Sequence, residues 1–522
     1  MAKNKEQFDL HYQIHHDVSS IKKPKLIITC IINARLFKLK QSYFYLQLPH
    51  QWSSAKNLGS YVNHLHALEK NTHILNSKAQ NLKKIQFDPK QKFITLRYEV
   101  YPKESTAPMD ILKPIINADI FHFIGETALI YPKVNLNTPL KISIDSPYFG
   151  FNQKQKIAFS LRAIRNSVFA GGAYQQNTIE ADDTITLLSY GLKKENTAYA
   201  MHLLNKIIPI QKSFWKDKEK NNTLIFMHGD DKAYTSLFGT CTTNALSLLI
   251  NEQSPFLAED LPEFLAHEYW HTWMGEKFYS AYSYKHMAWL FEGVTDYYAH
   301  KTSYQAGILS LLSWTKKYNR ILLKHYFSSV KNKPNQAIID FFDEDERYSD
   351  LPYTRGMILA LELDAKIQAL SHHRYSLDDV IKNLFLENKT SGITLEDFEA
   401  SLGLFYPEAK DFVRLYIEQG QDLPLSSAIF NDEAKLRHMQ IKPEEYGIDI
   451  KLTFIDKKIT GLLKTSPAYQ QGLRNGQELL SYEFDHKDIN KALLLKVRSD
   501  NLSENSFLLE RIKPAVDVPQ YY

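Results

Sequence analysis

The chain has 522 residues, 44% of them hydrophobic and 23% charged, the composition of a globular protein of two to four domains. Its formal charge of +4 is small for that length and no long basic run occurs, so nothing supports nucleic-acid binding. Only Cys30 and Cys241 occur, which excludes a disulfide scaffold and a Cys-rich metal site; a transition metal here needs His and carboxylate ligands.

The polar start MAKNKEQFDLHYQIHHD lacks the apolar core of a signal peptide. Stretches such as LIITCIINA are too short to span a bilayer, so the expected compartment is the cytoplasm, with no membrane partner. Residues 1–165 read as strands. LIITCIINA (26–34), YFYLQLP (43–49), KFITLRYEVYP (92–102) and LKISIDSP (140–147) are short and rich in β-branched and aromatic residues, with turn-formers between many of them. A β-sandwich is expected there.

Residues 166–437 shift to helical periods in LPEFLAHEYWHTWM, HMAWLFEGVTDYYAHKTSY, GILSLLSWTKKYNRILLKHY and TRGMILALELDAKIQAL. Asp260 with Glu263 reads as a capping box around Pro262, and Gly275 follows the last turn. Ser376 with Asp379 and Thr394 with Asp397 repeat the capping pattern. Residues 438–522 return to short strands around TSPAYQQGLRNGQELLSYEF (465–484). The expected class is multidomain α+β.

Within the helical part, HEYWHTWMGEK (267–277) holds His267 and His271 one helical turn apart, with roughly 6 Å of rise between them. Both imidazoles can reach one Zn²⁺, and Glu268 can sit beside the open position where a water binds. A carboxylate there takes the proton as that water attacks a carbonyl. A catalytic zinc needs a third protein ligand. Glu292, in FEGVTDYY (291–298), follows His271 by 21 residues, enough for a turn and an antiparallel return. Asp296, four residues on, is placed to accept a hydrogen bond from the outer nitrogen of a ligand histidine.

HEYWHTW followed by EGVTDYY resembles the gluzincin metallopeptidases, and more closely the glycyl aminopeptidase family. LPYTRGMILALELD (351–364), WSSAKNLGSYV (52–62) and SPAYQQGLRNGQELL also resemble that family's wording. The resemblance implies an N-terminal β domain, a thermolysin-like catalytic domain and a small C-terminal PDZ-like domain. It implies one zinc per chain held by His267, His271 and Glu292, with peptide or protein substrates. By motif match it makes Tyr353, in Tyr-Thr-Arg-Gly, the residue that steadies the oxyanion of the tetrahedral intermediate.

The sequence departs from the family three times, first in a His271-to-Glu292 interval shorter than is usual there. LFGTCTTNAL (237–246) stands where relatives place an acid for the substrate's α-amine; Gly239 fills that place, with Thr240 next, and the stretch has no acid. Asp230 and Asp231 are nearby substitutes or turn caps. YGIDIKL (446–452) lacks the glycine-rich phrase of a carboxylate-binding loop. Three readings stay open: a zinc aminopeptidase, an endopeptidase with the same chemistry, and a PDZ-type peptide-binding protein with little catalysis.

Overall fold

The computed structural model describes the chain apart from residues 1–7, 39–40, 54, 103–108, 136–139, 146–159, 181–183, 219–221, 231–236, 244, 255–256, 276, 389–391, 428, 444, 451–452, 455–456, 484–491 and 500–502. It divides into two compact units, residues 1–205 with 217–269, and 206–216 with 270–522. The expected blocks 1–165, 166–437 and 438–522 are not these units. No helix among the described residues is long and apolar enough to cross a membrane.

The first unit begins with two sheets over one apolar core. One has the order β11-β1-β2-β7-β4, the other β10-β3-β6-β5. The strands are β1 (Leu10–Asp17), β2 (Lys25–Asn33), β3 (Tyr43–Gln47), β4 (Val62–Ala67), β5 (His73–Asn76), β6 (Leu82–Gln86), β7 (Phe93–Val100), β10 (Tyr131–Pro132) and β11 (Ile142–Asp145). Strict alternation buries Leu10, Tyr12 and Ile14 on β1 and Ile94, Leu96, Tyr98 and Val100 on β7. Phe44, Leu46 and Ile85 from the other sheet join the same core, so the sandwich follows from a period-2 pattern. Two buried phenols are satisfied by backbone: Tyr12 donates to the Ile130 carbonyl (2.8 Å) and Tyr98 to that of Ala128 (3.1 Å). Burial pushes the Cys30 thiol up to about 12, so it is no nucleophile at neutral pH.

A short sheet, β12 (Val168–Gly172), β9 (Ile120–Ile124) and β8 (Ile115–Ile116), follows. A five-stranded sheet comes next, ordered β13 (Gln175–Glu180), β14 (Thr184–Tyr190), β15 (Asn222–Gly229), β17 (Ala245–Ile250) and β16 (Leu237–Cys241). β14, β15 and β17 run parallel, and the α helix Lys194–Trp215 makes the crossover between the first two. β16 is an antiparallel edge strand. A second long helix, Leu257–Trp270, leaves β17. Asp260 therefore lies inside this helix rather than at its cap. The helix starts three residues before it, and Pro262 lies inside the helix, in its second turn, where its missing N–H forgoes one intrahelical bond.

The second unit is mainly helical. Numbering helices from here, α1 is Thr295–Gln305, α2 Leu311–Phe327, α3 Asn335–Phe341, α4 Glu346–Leu370, α5 Leu377–Glu387 and α6 Leu395–Gly403. Both expected capping boxes, Ser376 with Asp379 and Thr394 with Asp397, are formed. α4 starts eight residues before the expected start, so Tyr353 stands inside it. The C-terminal part has a three-stranded meander, β19 (Glu478–Glu483), β20 (Leu493–Arg498) and β21 (Glu504–Leu509). It covers a core that includes Tyr446, Ile448, Leu473 and Leu495. Two residues of YGIDIKL, 451 and 452, lie outside the described residues. β18 (Leu436–Ile441) pairs with the last strand, β22 (Val516–Tyr521), so the expected boundary at 437/438 falls within a strand. β22 is tied to α2: the Asn319 amide donates to the Tyr521 carbonyl (2.7 Å) and accepts from its N–H (2.8 Å).

Glu362, on α4, is fully buried behind this strap. One oxygen accepts the Ser426 N–H at 2.9 Å, and the other has no hydrogen-bond partner among the described residues. Burial raises its carboxyl to about 7, so the fold holds it neutral over a range where the unfolded chain ionises it. A raised folded-state pKa gives stability that is lost as pH rises from the ordinary carboxylate range through about 7. Glu362→Gln removes that loss. Denaturant unfolding should show the variant gaining on the wild type by about 3 kcal/mol between pH 4 and pH 8.

Candidate metal centre

His267 and Glu268 occupy the last turn of the Leu257–Trp270 helix, both buried, and His271 directly follows it. Aromatic packing holds the chain as the helix ends. Trp270 stacks on Tyr298 with ring centres 4.5 Å apart and contacts Phe214 and Trp215. His271 Nδ1 lies 2.9 Å from the Met274 carbonyl. A carbonyl only accepts, so Nδ1 carries the hydrogen and Nε2 keeps its lone pair for a metal. Gly275, at φ +119°, then turns the chain in a conformation that favours glycine.

Glu292 is buried and sits in a π-helical turn, Trp289–Val294, that runs directly into α1. The expected single α helix over 286–304 is instead a 3₁₀ turn (Tyr284–Met287), this π turn and α1. Two glycines set its position. A Cβ built on Gly356 of α4 would lie 1.9 Å from the Trp289 carbonyl oxygen, and one on Gly293 would lie 2.4 Å from the Gly356 Cα. The two backbones touch, and only glycine permits it. Tyr353 is half-buried, three residues before Gly356 and so on nearly the same face of α4.

These elements bring together three of the residues expected from the sequence. One ligand atom from each of His267, His271 and Glu292 lies within 4.8 Å of the others, and His271 Nε2 is 3.8 Å from Glu292 Oε2. Ligand atoms of a tetrahedral zinc stand ~3.4 Å apart, so modest side-chain shifts close the set around an ion. Two imidazoles and one carboxylate are the donors of a catalytic zinc with an open fourth position. The residues fit the metal.

Glu268 is held from the other side. A Cβ on Gly239 would meet the Glu268 carboxyl carbon and Oε1 at 2.4 Å each, so the edge strand β16 lies against the carboxylate and a side chain at 239 would push it aside. Thr240 is next on that strand, paired in register with Ser247. Asp230 serves the fold instead, its carboxylate accepting the Met109 N–H. Asp231 lies outside the described residues. Asp296, in the first turn of α1, follows the π turn directly. The partner of His271 Nδ1 is the Met274 carbonyl, not Asp296. That carbonyl has no residue-type signal in the sequence, and two glycines 63 residues apart do not announce that they meet.

No protein-family model matches the chain, and no curated protein matches it in sequence. Solved structures do match in fold. An aminopeptidase N family protein from Idiomarina loihiensis aligns over 98% of each chain with a TM-score of 0.69 at 15% identity. An M1 zinc metallopeptidase from Deinococcus radiodurans aligns over 80% of this chain and 94% of its own, with a TM-score of 0.48 at 12% identity. A yeast LTA4 hydrolase structure aligns over 80% and 69%, with a TM-score of 0.46 at 16% identity. The first of these places the chain in that overall fold.

A ligand that binds only the folded state raises its stability by mass action. Adding zinc to metal-stripped protein should raise the thermal midpoint and saturate at one equivalent. His271→Ala and Glu292→Ala should each weaken that effect at least tenfold in zinc concentration.

Proposed function

We propose that the protein is a zinc-dependent metallopeptidase acting on peptides, most simply as an aminopeptidase, with one zinc per chain held by His267, His271 and Glu292. The observation that carries this reading is the clustering of those three ligand atoms within 4.8 Å, with buried Glu268 next to His267 in the chain. The likeness in fold to an aminopeptidase N family protein supports it. When bound, the zinc supplies Lewis acidity to the scissile carbonyl and lowers the pKa of a water. Glu268 takes the proton of the attacking water and returns it to the leaving amine. Tyr353 donates its phenolic hydrogen bond to the oxyanion. Asp296 would serve as the outer hydrogen-bond acceptor of a ligand histidine.

β16 offers the open backbone row of an edge strand beside Glu268, the geometry by which an extended peptide adds to a sheet. Gly239 and Thr240 would meet the substrate there. A second reading, endopeptidase, is favoured by one observation: 237–246 has no acid to hold a free α-amine, and a side chain at 239 would have to displace the Glu268 carboxylate. The C-terminal meander is assigned to a PDZ-like domain on its sequence phrases; its tie to α2 through Asn319 suits a structural cap as well as a peptide binder.

The test is paired substrates: a glycyl or alanyl arylamide with a free amine, and a blocked, internally quenched peptide, each with Glu268→Gln as control. Chelator-sensitive cleavage of the arylamide, lost in the variant, is the expected result. Cleavage of the blocked peptide alone makes the enzyme an endopeptidase. Turnover of neither by zinc-loaded protein rejects the peptidase reading. In the same assay Gly239→Ala should lower kcat by roughly 100-fold or more with zinc content unchanged, because the new Cβ displaces Glu268.

A further inference from the structure

Three consecutive residues after Tyr353 are each fastened to a different element. Thr354 gives its hydroxyl hydrogen to the Leu351 carbonyl (3.2 Å) and accepts from Nδ1 of His325 on α2 (3.2 Å). Gly356 is locked against Gly293 and the Trp289 carbonyl of the Glu292 turn. Arg355, between them, is only 6% exposed.

A buried guanidinium ordinarily sits on a carboxylate, because an uncompensated charge is costly there. Arg355 instead spends its fork on backbone. Nη2 donates to the carbonyls of Lys331 (2.6 Å) and Lys333, and Nη1 to that of Ile417 (3.4 Å). These belong to the loop after α2 and to a second π turn, Arg414–Glu418. Asp422 and Glu418 balance the charge from a distance, and they have their own partners in Lys331 and Asn335. Gly420, at φ +71°, leaves the space: a Cβ there would lie 2.8 Å from Arg355 Nη2 and 2.5 Å from the Lys333 carbonyl oxygen. Three carbonyls converging on one planar fork match an arginine and not a lysine, whose point charge cannot reach them in that geometry.

We propose that Arg355 is a positioning residue for turnover: by clamping the 331–333 loop and the 414–418 turn to α4, it fixes the turn that carries Tyr353 relative to the segment that carries Glu292. The proposal rests on the reading of Tyr353 as the oxyanion donor. Arg355 is not one of the candidate ligands and its hydrogen bonds go to backbone carbonyls, so its effect passes through the placement of the phenol. Loosening the clamp should then cost transition-state stabilisation and little ground-state binding.

The test is a double-mutant cycle on the full zinc-loaded chain, with Arg355→Lys, Tyr353→Phe and both together, read as kcat, KM, bound zinc and thermal midpoint. Arg355→Lys should lower kcat 10- to 100-fold, leave KM within about 3-fold and leave bound zinc unchanged. In the Tyr353→Phe background the same change should cost less than 2-fold. Gly420→Ala, which keeps the arginine and crowds its fork, should show the same kcat-selective loss. Equal losses in both backgrounds, or a loss of bound zinc that tracks the loss of kcat, overturn the proposal and make Arg355 a general stabiliser. An unchanged kcat in folded Arg355→Lys and Gly420→Ala overturns it alone. A wild type that cleaves nothing, or a harmless Tyr353→Phe, rejects the underlying functional reading first.

Discussion

Two glycines in backbone contact set the geometry on which the candidate site depends. Gly293 belongs to the turn of Glu292, Gly356 to the helix of Tyr353, and a single methyl group on either would force the two apart. The contact fixes how deep Glu292 sits relative to α4 and brings the Tyr353 turn alongside it. The segment meets this constraint with a π turn rather than a regular α turn. Such a turn inserts an extra residue into the helical register and re-aims one side chain, a device common where a helix serves a site.

Burial sorts the acids of the molecule into distinct fates. Glu268 and Glu292 are both buried, and a buried carboxylate is costly without a partner. A divalent ion held by His267, His271 and Glu292 would offset that cost. Glu362 is buried too, with the Ser426 N–H as its hydrogen-bond donor among the described residues, and burial raises its carboxyl to about 7. The same residue type is thus a candidate ligand, a candidate base and a silent core acid, according to what lies within reach.

Much of the site was legible because its chemistry has fixed spacing. His267, Glu268 and His271 follow one helical turn, and Glu292 could be picked out as an acid in an apolar helix. The boxes at Ser376 and Thr394 were equally legible, since they depend on four adjacent residues. The sandwich strands declared themselves by alternation. What failed depended on tertiary contacts. Asp260 looked like a cap, yet the helix extends three residues before it. The helical period in the sequence reads from Thr354, yet α4 runs from Glu346 through Pro352. The π turn, the Met274 carbonyl behind His271 and the carbonyls around Arg355 are backbone features, and side-chain identity does not announce them.

The central claim is that His267, His271 and Glu292 hold one zinc ion. X-ray absorption at the zinc edge of the purified protein tests it most directly. The account predicts a shell of oxygen and nitrogen near 2.0–2.1 Å with the outer-shell scattering of two imidazoles, falling to one imidazole in His271→Ala. A sulfur shell, an imidazole signal unaffected by that substitution, or no retained zinc would contradict it.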